Sequence, residues 1–257
     1  MNPLELTPRD QAPEDGARRI AMWSGPRNVS TALMRAFENR GDTAVCDEPL
    51  YAFYLERTGL PHPGAEEVRA SQPTDWRTVA AWLTGPVPER RAVFYQKHMA
   101  HHLLPEVGRD WLGRLDHAFL IRDPREMLPS LDAVTHAPRL EDTALPQQVE
   151  LFDQVRQLTG ETPAVVDSRD LLLDPRGVLA ALCERLGLDF RESMLSWPPG
   201  PRATDGVWAK HWYAGVERTT GFGPYRPKHE ALSPALAELL PPCRELYEHL
   251  YAQRLTA

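Results

Sequence analysis

The stretch RIAMWSGPRNVSTALMRAFENRG, residues 19–41, decides the fold. Its first five residues form an apolar run that predicts a buried strand, and Ser24-Gly25-Pro26 ends that strand. A helix follows, for which Asn28 is the expected N-cap and Gly41 the expected stop. The buried face of this helix is expected to carry Leu33, Met34 and Phe37. The segment therefore predicts a strand, a tight loop and a helix in succession.

The same alternation of strands and helices continues along the chain. Further strands are predicted at 43–46, 92–95, 117–121 and 164–167. Helices are predicted near 76–83 and after the later strands, the last of them ending near Gly187. Because strands separated by helices pair in parallel, we predict an α/β fold of three layers, with a mostly parallel central sheet and helices on both faces.

We predict a single domain, since neither an internal repeat nor a low-complexity linker divides the chain. Residues 1–17 are expected to be a loose leader and residues 18–257 the domain. Residues 191–230 are rich in proline, glycine and aromatic residues and show little periodicity, which predicts a lid over a functional site. Ser233-Pro234 should begin a final helix that Pro241-Pro242 interrupts or bends.

Composition restricts the classes of partner. The net charge of −7 disfavours a broad electrostatic contact with nucleic acid, and no run approaches the ~20 apolar residues that span a bilayer. The first twenty residues lack the apolar core of a signal peptide, so the cytoplasm is the expected location. Cys46, Cys183 and Cys243 lie far apart without CxxC spacing, and Cys183 is expected in the core. These features indicate a small-molecule partner, with no nucleic acid and no membrane.

The loop SGPRNVSTAL, residues 24–33, has the composition of an anion site. It brings free backbone N–H groups, two hydroxyls and the guanidinium of Arg27 to a helix N-terminus, which attracts phosphate or sulfate. The alternative is an ordinary capped helix start at which Arg27 faces water. Neither GxxxxGK[ST] nor GxGxxG occurs, so the loop predicts a P-loop-like architecture without the ATPase signature.

A second candidate anion site is IRDPREMLPSL, residues 121–131. Asp123-Pro124 with Glu126 forms a capping-box start for a helix after a predicted strand. Ser130 follows nearly two helical turns later on the same face, so Arg122 and Ser130 can meet over one small anion. The alternative is a strand-to-helix junction at which Arg122 makes a surface ion pair. Pro129 should kink this helix.

The first of these elements resembles a loop of a known enzyme family. Pro26, Arg27, Ser30 and Thr31 are similar to the 5′-phosphosulfate loop of sulfotransferases that use 3′-phosphoadenosine 5′-phosphosulfate (PAPS). Val29 departs from that pattern, because a glycine is usual at its position. The family's aromatic residue just after the paired hydroxyls is also missing, so adenine stacking must come from elsewhere.

Two later segments extend the resemblance. The spacing from Arg122 to Ser130 is that of the family's 3′-phosphate element. DGVWAKHW, residues 205–212, is similar to the C-terminal segment that closes over the nucleotide, although an alanine separates Trp208 from Lys210. Trp208 is therefore a candidate for stacking on adenine, or else a core tryptophan.

The resemblance implies a PAPS-dependent sulfotransferase that transfers a sulfonate group to a hydroxyl or amine of a small-molecule acceptor, without a metal. A nucleotide-dependent phosphotransferase or hydrolase, and a catalytically silent nucleotide-binding protein of the same fold, remain alternatives. The residues that this resemblance implies for nucleotide binding are Gly25, Pro26, Arg27, Asn28, Val29, Ser30, Thr31, Arg122, Ser130, Trp208 and Lys210.

Two residues are candidates for the general base, and Arg27 completes the expected catalytic set. Glu48 in CDEPLYAFYL and His98 in YQKHM each follow a predicted strand, and such strand ends face the binding crevice. Small-molecule sulfotransferases place a histidine there, whereas several carbohydrate and protein sulfotransferases use a glutamate near an EP motif. Glu48 is slightly favoured. A metal on His98, His101 and His102 is disfavoured, because no third-ligand motif such as HExxH occurs.

Other side chains near these candidates have two interpretations. Lys97 either assists the transferring group or is solvated. A set of aromatic residues either lines an acceptor pocket or belongs to the core: Tyr51, Phe53, Tyr54, Trp212 and Tyr213.

Overall fold

One five-stranded sheet organises the molecule. The computed structural model describes residues 16–228 and 231–256. The strands are β1 (Arg18–Ser24), β2 (Thr43–Asp47), β3 (Val93–Met99), β4 (Asp116–Ile121) and β5 (Ala164–Asp167). They lie in the order β2-β3-β1-β4-β5, and every pair is parallel. The predicted α/β fold is therefore confirmed. Residues 1–15 of the predicted leader lie outside the described residues.

Helices surround this sheet. In the described part of the chain they are α1 (Ser30–Glu38), α2 (Tyr51–Thr58), α3 (Ala65–Ser71), α4 (Trp76–Leu83), α5 (Pro124–Thr135), α6 (Leu145–Thr159), α7 (Ser168–Leu173), α8 (Pro175–Arg185), α9 (Ala209–Trp212) and α10 (Pro234–Tyr251). Short turns of 3-10 helix occur at Pro88–Arg90, Ala100–His102, Asp110–Arg114, Glu141–Thr143, Glu192–Leu195 and Val216–Arg218. None of these helices is long and apolar enough to cross a membrane.

Strand β1 is buried on both faces, and its alternating side chains build two separate cores. Ala21 and Trp23 belong to a cluster that includes side chains of α4, α6 and the end of α10. Ile20 and Met22 belong to a second cluster with side chains of α1 and α8, in which Cys183 is buried as predicted. Because successive residues of a strand point to opposite faces, one apolar strand holds all three layers together.

The position of β1 also fixes where a ligand can bind. β1 lies between β3 and β4, so the chain leaves it toward β2 on one side and later crosses to β4 on the other. In open parallel sheets the crevice for ligands lies outside the carboxyl ends of the strands where the order reverses. The loops after β1, β3 and β4 meet at this edge.

Two predictions about helices need correction or refinement. α10 runs without interruption through Pro241-Pro242, so the predicted interruption was wrong, whereas the alternative of a bend stays a prediction. Each proline removes one backbone donor, but the helix buries Leu236, Cys243 and Leu250, and this tertiary packing maintains it. α5 likewise continues through Pro129.

Part of the segment from residue 191 to residue 228 has regular structure and buried side chains. It contains two 3-10 turns and α9, and four of its side chains are buried: Met194, Trp197, Trp208 and Tyr213. That this segment acts as a lid, and that the chain is one domain, stay predictions.

The sheet core should dominate stability. Phe119 of β4 is fully buried, so Phe119→Ala should lower the free energy of unfolding by about 3–5 kcal/mol through lost contacts and a cavity. Leu173→Ala is the control, because Leu173 is 59% exposed and should change stability by about 0.5 kcal/mol or less. Urea denaturation measures both. Equal losses in the two variants would contradict this account of the core.

Candidate functional site

A cavity of about 730 Å³ opens at the carboxyl ends of the central strands. The loop after β1, the start of α1, the second half of α5 and parts of residues 208–223 form its walls. It brings together most of the residues predicted for nucleotide binding: Pro26, Arg27, Asn28, Val29, Ser30, Thr31, Arg122, Ser130 and Trp208. Gly25 and Lys210 do not line it.

The loop after β1 has an unusual backbone. A side chain at Gly25 would place its Cβ 2.6 Å from the backbone oxygen of Thr143, so this close approach requires glycine. Arg27 and Val29 have left-handed conformations, with φ of 64° and 55°. Val29 therefore takes the conformation that glycine adopts most easily, at the position where the resembling family usually has glycine. The first backbone N–H groups of α1, from Ser30 onward, lack carbonyl partners within the helix.

Asn28 does not cap α1, contrary to the prediction. The N-cap position is Val29, with no side-chain hydrogen bond to the helix. The left-handed residues on either side of Asn28 turn its side chain into the sheet, where Nδ2 donates to the backbone oxygen of Leu120 at 3.2 Å. The Asn28 side chain thereby fixes the loop to β4. Its Oδ1 is buried without a hydrogen-bond partner in the described structure.

The two predicted anion-binding elements contact each other directly. Arg27 Nε donates to Ser130 Oγ at 2.9 Å, and Arg122 Nη1 donates to the backbone oxygen of Arg27 at 2.9 Å. Glu126 lies 3.3 Å from Arg122, whereas no carboxylate of residues 16–228 and 231–256 pairs with Arg27. Burial, and then repulsion by Arg122, lowers the pKa of Arg27. A bound anion would relieve this repulsion, so the geometry suits phosphate or sulfate.

Glu48, directly after β2, also lines the cavity. Glu48 has φ of 42°, and its N–H donates to the backbone oxygen of Lys97 at 2.8 Å. Lys97 Nζ lies 2.6 Å from Glu48 Oε1 and 2.7 Å from Asp47 Oδ1. Burial raises the pKa of Glu48, the Lys97 ammonium opposes this rise, and Asp47 adds to it. The cavity is therefore lined by a carboxylate as well as by the guanidinium groups of Arg27 and Arg122.

The structure does not bring His98, the other candidate base, into the cavity. Lys97 and His98 are consecutive in β3, so they point to opposite faces. The His98 ring stacks on Trp23 with centroids 4.2 Å apart, and its Nε2 lies 3.3 Å from Gln96 Oε1. Burial, then His117 and Lys97, lowers the pKa of His98 to about 3. His98 is a neutral core residue here.

A wall of tyrosine and histidine rings adjoins Glu48. The His102 ring stacks between Tyr51, at 4.7 Å, and Tyr54, at 4.6 Å, and the Tyr51 hydroxyl lies 2.8 Å from His62 Nδ1. Burial and then His62 lower the pKa of His101 to about 4, and burial also lowers the pKa of His62 and of His102. These imidazoles are therefore uncharged near neutral pH.

Four of the aromatic residues considered for an acceptor pocket line the cavity, namely Tyr51, Tyr54, Trp212 and Tyr213. Phe53 belongs to the core instead. Within the described ranges, no group of three or more histidine, cysteine or acidic side chains is arranged to hold a metal ion.

The predicted C-terminal element is only partly at the site. Trp208 lines the cavity but is 2% exposed, lies edge-on to Tyr51, and would collide with any side chain at Gly206. Its faces are largely occupied by protein. Lys210 pairs with Glu67 at 2.5 Å, away from the loop after β1.

Phe222 is a cavity residue that no pattern singled out. It packs against the second apolar cluster, as Val29 and Ala32 also do, and lies edge-on to Trp197 at 5.1 Å. The only signal in the sequence is the pair of glycines around it, Gly221 and Gly223.

Comparisons with known proteins identify the family of the chain. The family described as Sulfotransferase domain matches residues 18–247. Two proteins of Arabidopsis thaliana are similar to the chain: branched-chain-amino-acid aminotransferase-like protein 1, 38% identical over 79% of the chain, and protein 2, 32% identical over 90%. The chain spans 36% and 41% of their respective lengths.

Solved structures show the same fold. The sulfotransferase domain of the Synechococcus PCC 7002 olefin synthase has a TM-score of 0.52 at 20% identity, covering 96% of this chain and 99% of that one. A sulfotransferase from Alicyclobacillus acidocaldarius has a TM-score of 0.50 at 13% identity, covering 93% and 97%. At these identities the likeness concerns the fold.

The buried histidines should make stability depend on pH. A histidine that titrates near pH ~6.5 when unfolded but at about 4 when folded, as His101 does, binds more protons in the unfolded state between these values. Stability should therefore fall as the pH drops from ~6.5 toward 4, by up to ~1.4 kcal/mol per pH unit for each such histidine. His101→Gln should reduce this slope in urea denaturation. At pH ~8 the histidine is neutral in both the folded and the unfolded protein, so the difference in stability between variant and wild type at that pH is the baseline. An unchanged slope would contradict the prediction.

Proposed function

Since the chain belongs to the sulfotransferase domain family, we propose that it transfers a sulfonate group from PAPS to the hydroxyl or amine of a small-molecule acceptor. One observation carries the proposal. The two predicted anion-binding elements contact each other at a cavity, and a buried carboxylate lines the same cavity. Sulfonate transfer requires both: positive charge at the leaving phosphate and a base for the proton of the acceptor.

The residues present fit the nucleotide. Arg27, Ser30, Thr31 and the first N–H groups of α1 would hold the 5′-phosphosulfate, while Arg122 and Ser130 would hold the 3′-phosphate. A cavity of about 730 Å³ lies in the upper part of the range of roughly 300–1,000 Å³ for ligand pockets, which suits a nucleotide together with an acceptor.

We assign adenine stacking to Phe222 rather than to Trp208. Phe222 lines the same cavity as the start of α1 and is only partly buried. Trp208 is 2% exposed and is buried among Tyr51, Tyr213 and Gly206. A purine base requires an aromatic face that is accessible from the cavity.

The side chains and backbone of the protein then have two tasks, which are to stabilise negative charge and to accept one proton. When bound, the nucleotide supplies the sulfonate, and its phosphate oxygen keeps the electron pair of the broken bond. Arg27 and the helix N-terminus stabilise the negative charge that gathers there. Glu48 accepts the proton of the acceptor hydroxyl or amine, because its carboxylate reaches the cavity and only Oε1 is engaged, by Lys97.

Nucleotide binding can be tested without an acceptor. In buffer with EDTA, 3′-phosphoadenosine 5′-phosphate should raise the Tm clearly more than AMP, because only the former carries a phosphate for Arg122. Arg122→Ala and Phe222→Ala should reduce this rise. Arg176→Ala is the matched control, since Arg176 pairs with Glu192 on the surface. A larger rise with ATP and Mg²⁺ would instead support a phosphotransferase.

Glu48 should be essential for turnover and dispensable for nucleotide binding. Glu48→Gln should lower kcat by about 100-fold or more while keeping the nucleotide-dependent rise in Tm. Radiolabelled PAPS with p-nitrophenol, benzyl alcohol and phenethylamine as acceptors measures transfer. His98→Gln should keep most of the activity, because His98 does not reach the cavity. If His98→Gln abolished transfer and Glu48→Gln did not, Glu48 would not be the base.

A further inference from the structure

A buried ionic cluster connects Glu48 with the segment that follows α9. Its members are Asp47, Glu48, Lys97 and Tyr213. From these contacts we infer that Lys97 is a positioning residue, which keeps the Glu48 carboxylate ionised and directed into the cavity while Asp47 and Tyr213 hold Lys97 in place. The inference rests on the proposed function in one respect, namely that Glu48 is the base.

All three protons of the Lys97 ammonium are engaged within the cluster. Lys97 Nζ donates to Asp47 Oδ1 at 2.7 Å, to Glu48 Oε1 at 2.6 Å and to the Tyr213 hydroxyl at 3.0 Å. An ammonium group has only three donors, so no proton is left for the transferring sulfonate. With its side chain only 1% exposed, Lys97 is also not solvated. Lys97 therefore neither assists the transferring group nor is solvated, which were the two interpretations from the sequence. The contacts instead indicate that Lys97 acts through Glu48.

The other members fix the direction in which Lys97 points. The Tyr213 hydroxyl accepts from Lys97 and donates to Asp47 Oδ2 at 2.7 Å. The N–H of Gly206 also donates to Asp47 Oδ2, at 3.2 Å. Both Asp47 oxygens are thus occupied by partners on β3 and on residues 206–213. The Glu48 carboxylate differs, because in the described structure its Oε2 has no hydrogen-bond partner and remains for the acceptor.

Charges of opposite sign act on Glu48 from different elements. Lys97 on β3 favours the ionised carboxylate, and Asp47 on β2 disfavours it. Tyr51 on α2 and Tyr213 after α9 also face this cluster. Burial and then Glu48 raise the pKa of Tyr51, and burial and then Asp47 raise the pKa of Tyr213, so both phenols stay uncharged. The two neighbours of Glu48 that carry charge therefore oppose each other.

Because Lys97 and Asp47 have opposite effects on Glu48, removing each charge should move the titration of Glu48 in opposite directions. Lys97→Met removes the cation, so Glu48 should hold its proton more tightly, and the acid limb of kcat/KM should move upward by about one pH unit or more. Asp47→Asn removes the competing carboxylate, so the same limb should move downward by about one unit. A purely structural role would lower the rate at all pH values and leave the limb in place.

The experiment combines two readouts on the full chain. The pH profile of kcat/KM is measured with radiolabelled PAPS and the best acceptor of the panel above. Independently, the side-chain carboxyl carbon resonance of Glu48, assigned by its absence in Glu48→Gln, is titrated by NMR without acceptor. Upward movement in Lys97→Met and downward movement in Asp47→Asn support the inference. Unmoved midpoints, or shifts in the same direction, overturn it.

A further variant keeps the test decisive if Lys97→Met does not fold. Breaking a buried ion pair by removing one partner is costly, whereas removing both charges is often tolerated. The double variant Asp47→Asn/Lys97→Met leaves Glu48 as a lone buried carboxyl, whose titration should lie above that of the wild type. A double variant that titrates like the wild type overturns the inference. If the resonance shifts as expected but no acceptor of the panel is sulfonated, the proposed function fails separately from the role of Lys97.

Discussion

The site depends on how closely the loop after β1 is pressed against its neighbours. Gly25 passes so near the Thr143 carbonyl that no side chain fits, and the Asn28 amide donates to the edge of β4. These contacts hold Arg27 and Val29 in left-handed conformations that L-residues otherwise avoid. The strained loop then exposes the start of α1 and places Arg27 against Ser130. The anion site is therefore a property of the packed sheet edge and not of the loop alone.

Adjacent residues of β3 have different environments, because successive residues of a strand point to opposite faces of the sheet. Lys97 points to the cavity and forms ion pairs there, whereas His98 points to the opposite core and stacks on Trp23. The same alternation in β1 separates the two apolar clusters. A shift of one residue in β3 would exchange the environments of Lys97 and His98, burying an unpaired ammonium in the core. The register of β3 beside β1 therefore fixes which chemical groups reach the ligand.

Much of this arrangement follows from the sequence, because apolar periodicity and turn residues act locally. The five strands and α1 were predictable, whereas the direct contacts of Arg27 with Ser130 and Arg122 were not part of the prediction. What was missed depends on tertiary contacts. β3 extends to Met99 through buried polar residues that have partners only in the folded chain, such as Lys97. The Asn28 side chain bonds to β4 instead of capping α1, and α10 tolerates two prolines because its packing maintains it. Phe222 lies in irregular chain without a periodic signal.

The distribution of charged groups in the cavity explains which of them can stabilise negative charge and which can accept a proton. Arg27 has no carboxylate partner in the described structure, so it can compensate negative charge at a leaving phosphate. Lys97 has none of this capacity, because two carboxylates and a tyrosine hydroxyl take its three protons. The Glu48 carboxylate in turn lies apart from the guanidinium groups, and its partner Lys97 is shared with Asp47. A base that must accept a proton and cations that must stabilise an anion would neutralise each other if paired. In the described structure Glu48 pairs with neither Arg27 nor Arg122, so both kinds of group stay reactive.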